Sequence, residues 1–413
     1  MLPFLQFIIA MVIIISAAKM GGYLSYRLGQ PAVVGEVIAG LILGPTVLNF
    51  LHWPMFTYEP LGETITLLAE LGVLLLMFIA GLELHLSDLA QSGKTAVLAG
   101  IMGFITPLAM GFALAMAFSF DPHQAIFIGL ILAPTSVSIS AQTLMELNVL
   151  RSKVGVSLLG AAVVDDLLVV LGVSLFLALV GSSAVGGLTS VLLILLKMVL
   201  YLVIASALGL WLLPKLSLLI EKLPISQGLI AFTFVIVLFY AWAAEALGHM
   251  AMIIGAFLAG LLFARSSLKG RIEEGFLPLA YGVFVPIFFV GVGLSADLRQ
   301  LSTAGIWLLV AMFVVAVISK VFGVGLAGRF GGFTNREAVQ LGVGMVPRGE
   351  VVLIVITVGI TEGLIGSDVF SAAVWMVVLS TLVAPVMLRS LFPKPTPARL
   401  SADVSSYEER HHV

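Results

Sequence analysis

The chain has 413 residues, of which 61% are hydrophobic and only 10% charged, with a mean hydropathy of +1.19. Soluble globular proteins carry about 25% charged residues, so the chain reads as a polytopic membrane protein, and nucleic-acid binding is not indicated. The formal charge of −2 decides little because the charges are sorted by position, and the absence of cysteine excludes disulfides, thiolate metal sites and Cys nucleophiles.

Charges, Gly/Pro clusters and apolar runs mark thirteen spans, near 3–28, 33–50, 63–85, 95–118, 124–147, 153–180, 188–213, 227–246, 249–264, 275–296, 303–328, 336–361 and 368–391. No basic region precedes the first, so it reads as a mature helix rather than a cleaved signal. The polar tail after Phe392 is expected to be too short for a regulatory domain. Placing the N-terminus outside puts Arg27, Lys94, Arg151, Lys153, Lys215, Lys222, Arg265, Lys269, Arg271, Arg329, Arg336 and the tail's basic residues inside, and leaves only Arg299 outside. That one-sidedness sets the orientation, with the C-terminus cytoplasmic.

Spans 1–6 repeat as spans 8–13, with span 7 as a linker. Val34-Gly35-Glu36-Val37-Ile38-Ala39-Gly40-Leu41 resembles Ile254-Gly255-Ala256-Phe257-Leu258-Ala259-Gly260-Leu261. Gly72-Val73, Phe78 and Gly81 match Gly282-Val283, Phe288 and Gly291, and Gly129 and Pro134 match Gly342 and Pro347. Span 1 starts outside and span 8 inside, so the repeat is inverted, a transporter signature. The expected fold is therefore all-α: thirteen transmembrane helices in inverted six-helix repeats.

Span 6 contains Gly160-Ala161-Ala162-Val163-Val164-Asp165-Asp166 in an otherwise uncharged apolar run. One Asp at the centre of a membrane helix costs about 2.5–3.5 kcal/mol on insertion scales, and two neighbours also repel. Such a pair points to an ion or proton site. Span 5 carries Ala133-Pro134-Thr135-Ser136, and span 12 carries Val346-Pro347-Arg348-Gly349-Glu350. Both read as helix breaks whose free carbonyls and helix ends can face a small cation. At about 1.5 Å per residue, the two Asp residues and the two prolines lie roughly 17–20 Å from the cytoplasmic ends of their spans, and Lys320 about 13 Å. Lys320 is too deep to snorkel fully, so it either deprotonates or finds a carboxylate. Asp165 and Asp166 point about 100° apart on a helix, so one can pair with Lys320 while the other faces a cavity. Arg348 and Glu350 are expected to compensate each other at the second break. Lys197 either packs or reaches the surface, and Glu36, Glu70 and Glu83 either line a cavity or pair with basic loops. His52, His85, His123 and His249 are not spaced as a metal site, and no cofactor is expected.

These residues resemble cation:proton antiporter family 2, specifically its NapA-type sodium/proton antiporters. The likeness runs from Gln30-Pro31-Ala32-Val33-Val34-Gly35-Glu36-Val37 through Leu68-Ala69-Glu70-Leu71-Gly72 to Gly344-Met345-Val346-Pro347-Arg348-Gly349-Glu350-Val351, and includes Ile318-Ser319-Lys320-Val321. The resemblance implies an NhaA/NapA-like fold with two broken, crossing helices. It implies core helices at 95–180 and 303–391, dimer-domain helices at 1–85 and 227–296, a linker at 188–213, a short cytoplasmic tail at 392–413, and a homodimer in a bacterial inner membrane. By the same resemblance Asp166 binds Na⁺ with Thr135 and the broken backbone around Ser136 adding oxygens, Asp165 pairs with Lys320, and the core slides like an elevator in an electrogenic cycle. Pro134 beside the break departs from the family pattern and bears on which ion is taken. The related potassium-efflux proteins have Gln before the Asp and a C-terminal nucleotide-binding domain, neither of which is read here. The alternative is K⁺/H⁺ exchange on the same fold. An intramembrane aspartyl protease would need its two Asp on separate helices, and a channel would lack reason for an inverted repeat.

Overall fold

The computed structural model of the protein describes residues 2–83, 86–180, 187–295, 299 and 302–392. His85 and the tail beyond Phe392 lie outside them. Among the described residues every regular element is a helix, as expected where each backbone polar group must be satisfied away from water. In order these are α1 (Pro3–Arg27), α2 (Ala32–Leu43), α3 (Leu61–Glu83), α4 (Leu86–Ala117), α5 (Pro122–Leu132), α6 (Val137–Glu146), α7 (Lys153–Val180), α8 (Gly187–Glu221), α9 (Gly228–Ala246), α10 (Met252–Phe263), α11 (Lys269–Leu279), α12 (Val285–Leu294), α13 (Thr303–Phe330), α14 (Asn335–Gly344), α15 (Glu350–Thr361) and α16 (Ser367–Leu391). A π turn at Ala280–Phe284 joins α11 to α12.

Ten stretches among the described residues are long and apolar enough to cross a membrane, with α5–α6 counted as one. Ala32–Leu43, Met252–Phe263 and Val351–Ile360 are apolar but shorter. The first two differ from the full spans expected at 33–50 and 249–264. Twelve residues cover about 18 Å, against about 30 Å of hydrocarbon. α2 stops at Leu43, where Gly44-Pro45 follows, and α10 begins only after a turn that holds His249 at φ 52°. In the other direction, α8 continues through Pro214 to Glu221 rather than ending at 213.

Local chemistry starts several helices. Asp121 accepts from the His123 and Gln124 N–H groups at the head of α5. Ser302 caps α13, and Thr334 with Glu337 forms a capping box on α14.

The helices pack in two groups. In one, α2 lies along α1 and α12, and α10 along α9 and α3. Glycine permits these approaches. A Cβ at Gly40 would run into the Val290 carbonyl, and one at Gly260 into that of Phe78. In the other group α4 packs on α5, α7 and α13, and α13 packs on α14 and α16. The groups meet along a seam where α6 touches α2 and α3, and α16 touches α2.

Candidate functional site

The site is built on the two interrupted helices. α5 ends at Leu132 and α6 restarts at Val137. α14 ends at Gly344 and α15 restarts at Glu350. The interruptions meet: the Ser136 N–H donates to the Pro347 carbonyl at 2.7 Å. Ser140 Oγ donates to the Gly344 carbonyl at the end of α14, and Ser136 Oγ lies 3.0 Å from Ser138 Oγ.

Free carbonyls at the end of a half-helix need donors. Arg348, fully buried, supplies them to α5. Its Nη1 donates to Ala133 O at 3.2 Å and to Pro134 O, and its Nη2 reaches Ala316 O on α13 at 3.4 Å. The second break is itself held by α16: Arg348 N donates to Ser380 Oγ at 3.1 Å, and Thr381 Oγ1 to Arg348 O at 3.0 Å. Arg348 is thus engaged by backbone of the opposite break. The pairing expected with Glu350 falls on a side chain outside the described residues.

Asp165 and Lys320 are both wholly inaccessible, with Nζ 3.0 Å from Oδ2. The same Oδ2 accepts Thr135 Oγ1 at 2.7 Å. Thr135 thus donates to Asp165, the neighbour of the aspartate with which the resemblance groups it. Lys320 has room because α4 presents Gly103 opposite it, where a Cβ would lie 3.3 Å from Nζ. Thr106, one turn further, donates to Ser319 O at 3.0 Å and fixes α13 against α4.

Asp166 is buried and turns a different way. It lines a narrow crevice with Met77, Val137, Leu159, Val163, Ile253, Ile254 and Phe257. Those walls come from α3 and α10 on one side and α6 and α7 on the other, so the cavity lies in the seam between the two helix groups. A carboxylate in such a place can bind a small hard cation or a proton, but two such loads would compete.

The remaining charges separate into minor contacts. Glu36 is 4.0 Å from Lys19. Lys197 Nζ is 3.0 Å from His249 Nε2. Glu70 is exposed and Glu83 half-buried. Three features had escaped the sequence reading: Gly103 beside Lys320, the Ser380–Thr381 clamp on the second break, and Glu146. Only the last had a local hint, since Pro31 offers no capping side chain at the start of α2.

The profile of the family described as "Sodium/hydrogen exchanger, transmembrane" matches residues 12–394. The chain is 36% identical to a Na(+)/H(+) antiporter of Enterococcus hirae, over 93% of this chain and 98% of that one. It is 34% identical to the Na(+)/H(+)-K(+) antiporter GerN of Bacillus cereus, over 94% and 96%. The structure of the sodium proton antiporter MjNhaP1 from Methanocaldococcus jannaschii superposes with a TM-score of 0.69 at 16% identity, covering 94% of this chain and 97% of that chain, a likeness of fold. Taken with the paired aspartates and the two interrupted helices, these matches place the chain in the sodium/hydrogen exchanger family of cation:proton antiporters.

Proposed function

We propose that the protein is a secondary active antiporter that exchanges Na⁺ or Li⁺ for H⁺ across a bacterial inner membrane. The observation that carries this is the placement of Asp166, a buried carboxylate on a seam cavity, one residue from an Asp165 already neutralised by Lys320. Na⁺ and H⁺ compete for Asp166, and protonation removes the charge that holds the ion. Either loaded state crosses; the empty charged site does not, because burying it costs too much. Asp165, Thr135 and Lys320 hold the second titratable centre, and Ser136 with the broken backbone contributes oxygens near the cation.

The proposed architecture is thirteen crossings with the N-terminus outside, the three short helices counting as spans. The half carrying α4–α7 and α13–α16 moves as an elevator against a dimeric half carrying α1–α3 and α9–α12. Support comes from the cavity walls, which divide between the two groups, and from the close glycine contacts that tie α2 to α12 and α10 to α3 within the dimeric half. Lys320 makes the cycle electrogenic if it also exchanges a proton. K⁺/H⁺ exchange on the same fold is the second reading, favoured by the likeness to GerN, a Na(+)/H(+)-K(+) antiporter. The test is purified protein in vesicles with an internal pH dye, challenged with Na⁺, Li⁺ and K⁺. Proton movement evoked by Na⁺ and Li⁺ supports the first reading, by K⁺ alone the second, and by none of them neither.

A further inference from the structure

α2 starts at Ala32 behind Pro31 and has no cap of its own, so its first N–H groups lack partners within the helix. The partner comes from a distant helix. Glu146, the last residue of α6, accepts the Ala32 N–H on Oε2 at 2.7 Å. Gln142, one turn earlier, donates to its Oε1 at 2.7 Å and aims the carboxylate. A second contact crosses beside it, the Tyr281 hydroxyl 3.5 Å from Met145 Sδ. Tyr281 is tied in turn to α1, because Lys19 Nζ donates to its carbonyl at 2.6 Å. The charged neighbours of Glu146 are Glu36 on α2, facing Lys19 on α1, and Arg389 on α16.

α6 is continuous with the interruption that carries Thr135 and Ser136, whereas α2 and Tyr281 belong to the opposite group. Glu146 is thus a carboxylate of one group gripping the helix N-terminus of the other. The bond is charge-assisted and aligned with the helix dipole. It lies at the end of the bundle near Arg27 and Arg151, the cytoplasmic end of the proposed orientation. Nothing in cation binding at Asp166 uses it.

We infer that Glu146 is the latch that holds the cytoplasmic side of the Asp166 seam shut, and that its release from α2 is a step of the transport cycle. The inference rests on the proposal that the two groups move past one another. α2 is fixed to α1 and α12 by glycine contacts, so it cannot follow α6, and the bond must break whenever the cavity opens to the cytoplasm.

The chain contains no cysteine, which makes a single introduced thiol a clean reporter. Leu159→Cys on the cavity wall is labelled with a membrane-impermeant maleimide in inside-out and right-side-out vesicles. Adding Glu146→Ala is expected to speed labelling from the cytoplasmic face by at least about tenfold, the shift that loss of a hydrogen bond to a charged group produces, and to slow labelling from the outer face. Glu146→Gln, which keeps an acceptor oxygen, falls between. Unchanged rates overturn the latch; faster labelling from both faces means general loosening and overturns it as well. A separate pair, Ala32→Cys with Glu146→Cys, bridged by a short bifunctional thiol reagent, is expected to arrest exchange until the bridge is cleaved. Exchange that survives complete bridging overturns the sliding groups and the latch together. Arrest by the bridge with unchanged labelling in Glu146→Ala overturns the latch alone.

Discussion

Replacing Lys320 by Gln, Asp165 by Asn, and both together should show how much of the fold's stability depends on the pair being complete. The two groups are fully buried and 3.0 Å apart. At that distance and an effective dielectric constant of 20, Coulomb's law gives an attraction of about 5 kcal/mol. Most of this offsets desolvation, so the intact pair is worth little net, but a lone buried charge costs about 3–5 kcal/mol. Each single variant strands one charge. The double variant strands none, and the amide oxygen that Asp165→Asn introduces can still accept from Thr135. Its loss is therefore expected to be no larger than that of either single variant, with a coupling energy above about 2 kcal/mol. The measurement is the temperature at which half of the detergent-solubilised protein leaves solution, run as a double-mutant cycle at fixed pH. Losses that add to within about 0.5 kcal/mol would mean that Asp165 and Lys320 do not share a charge balance, and the reasoning would fail.

Asp166→Asn is expected to abolish Na⁺-evoked proton movement in vesicles while leaving thermal stability near that of the unmutated protein; retained exchange would exclude Asp166 as the cation site. A potential of 100 mV, negative inside, is worth about 2.3 kcal/mol per charge, roughly a fiftyfold bias, and is expected to change the direction or extent of Na⁺ movement. Lys320→Gln is expected to weaken that dependence, and indifference of the unmutated protein at every pH would make the cycle electroneutral. Arg348→Lys is expected to lower the unfolding midpoint clearly, because one ammonium cannot span the carbonyls of Ala133, Pro134 and Ala316; an unchanged midpoint would remove Arg348 as the brace of the crossing. Gly260→Ala is expected to cost about 1–3 kcal/mol, since its methyl group would enter the Phe78 carbonyl, and a neutral result in the same thermal assay would contradict that packing.

Much of this could be read from the chain alone because a membrane limits the choices. Apolar runs bounded by charge must be helices that satisfy their own backbone, and Pro134 and Pro347 cannot sit in an unbroken one. Buried charge is costly enough that Asp165, Asp166 and Lys320 stand out in any apolar run. Spacing along one helix also separates the two carboxylates into different directions. What the chain could not supply is which distant group each residue meets. Thr135 was as near in sequence to either aspartate, and only the crossing of α5–α6 with α7 gives its hydroxyl to Asp165. Arg348 had an acidic neighbour two positions on, yet its guanidinium ends on carbonyls more than two hundred residues away, Ala133 and Pro134. The short lengths of α2 and α10 come from the Gly44-Pro45 stop after α2 and the turn at His249 before α10, inside stretches that hydropathy alone joins to the helices. The uncapped start of α2 behind Pro31 calls for a partner, but that the partner is Glu146 comes only from where the end of α6 meets the start of α2, 114 residues apart. Local propensity and the cost of burial are encoded residue by residue, whereas partners across a seam exist only once two helix groups have packed.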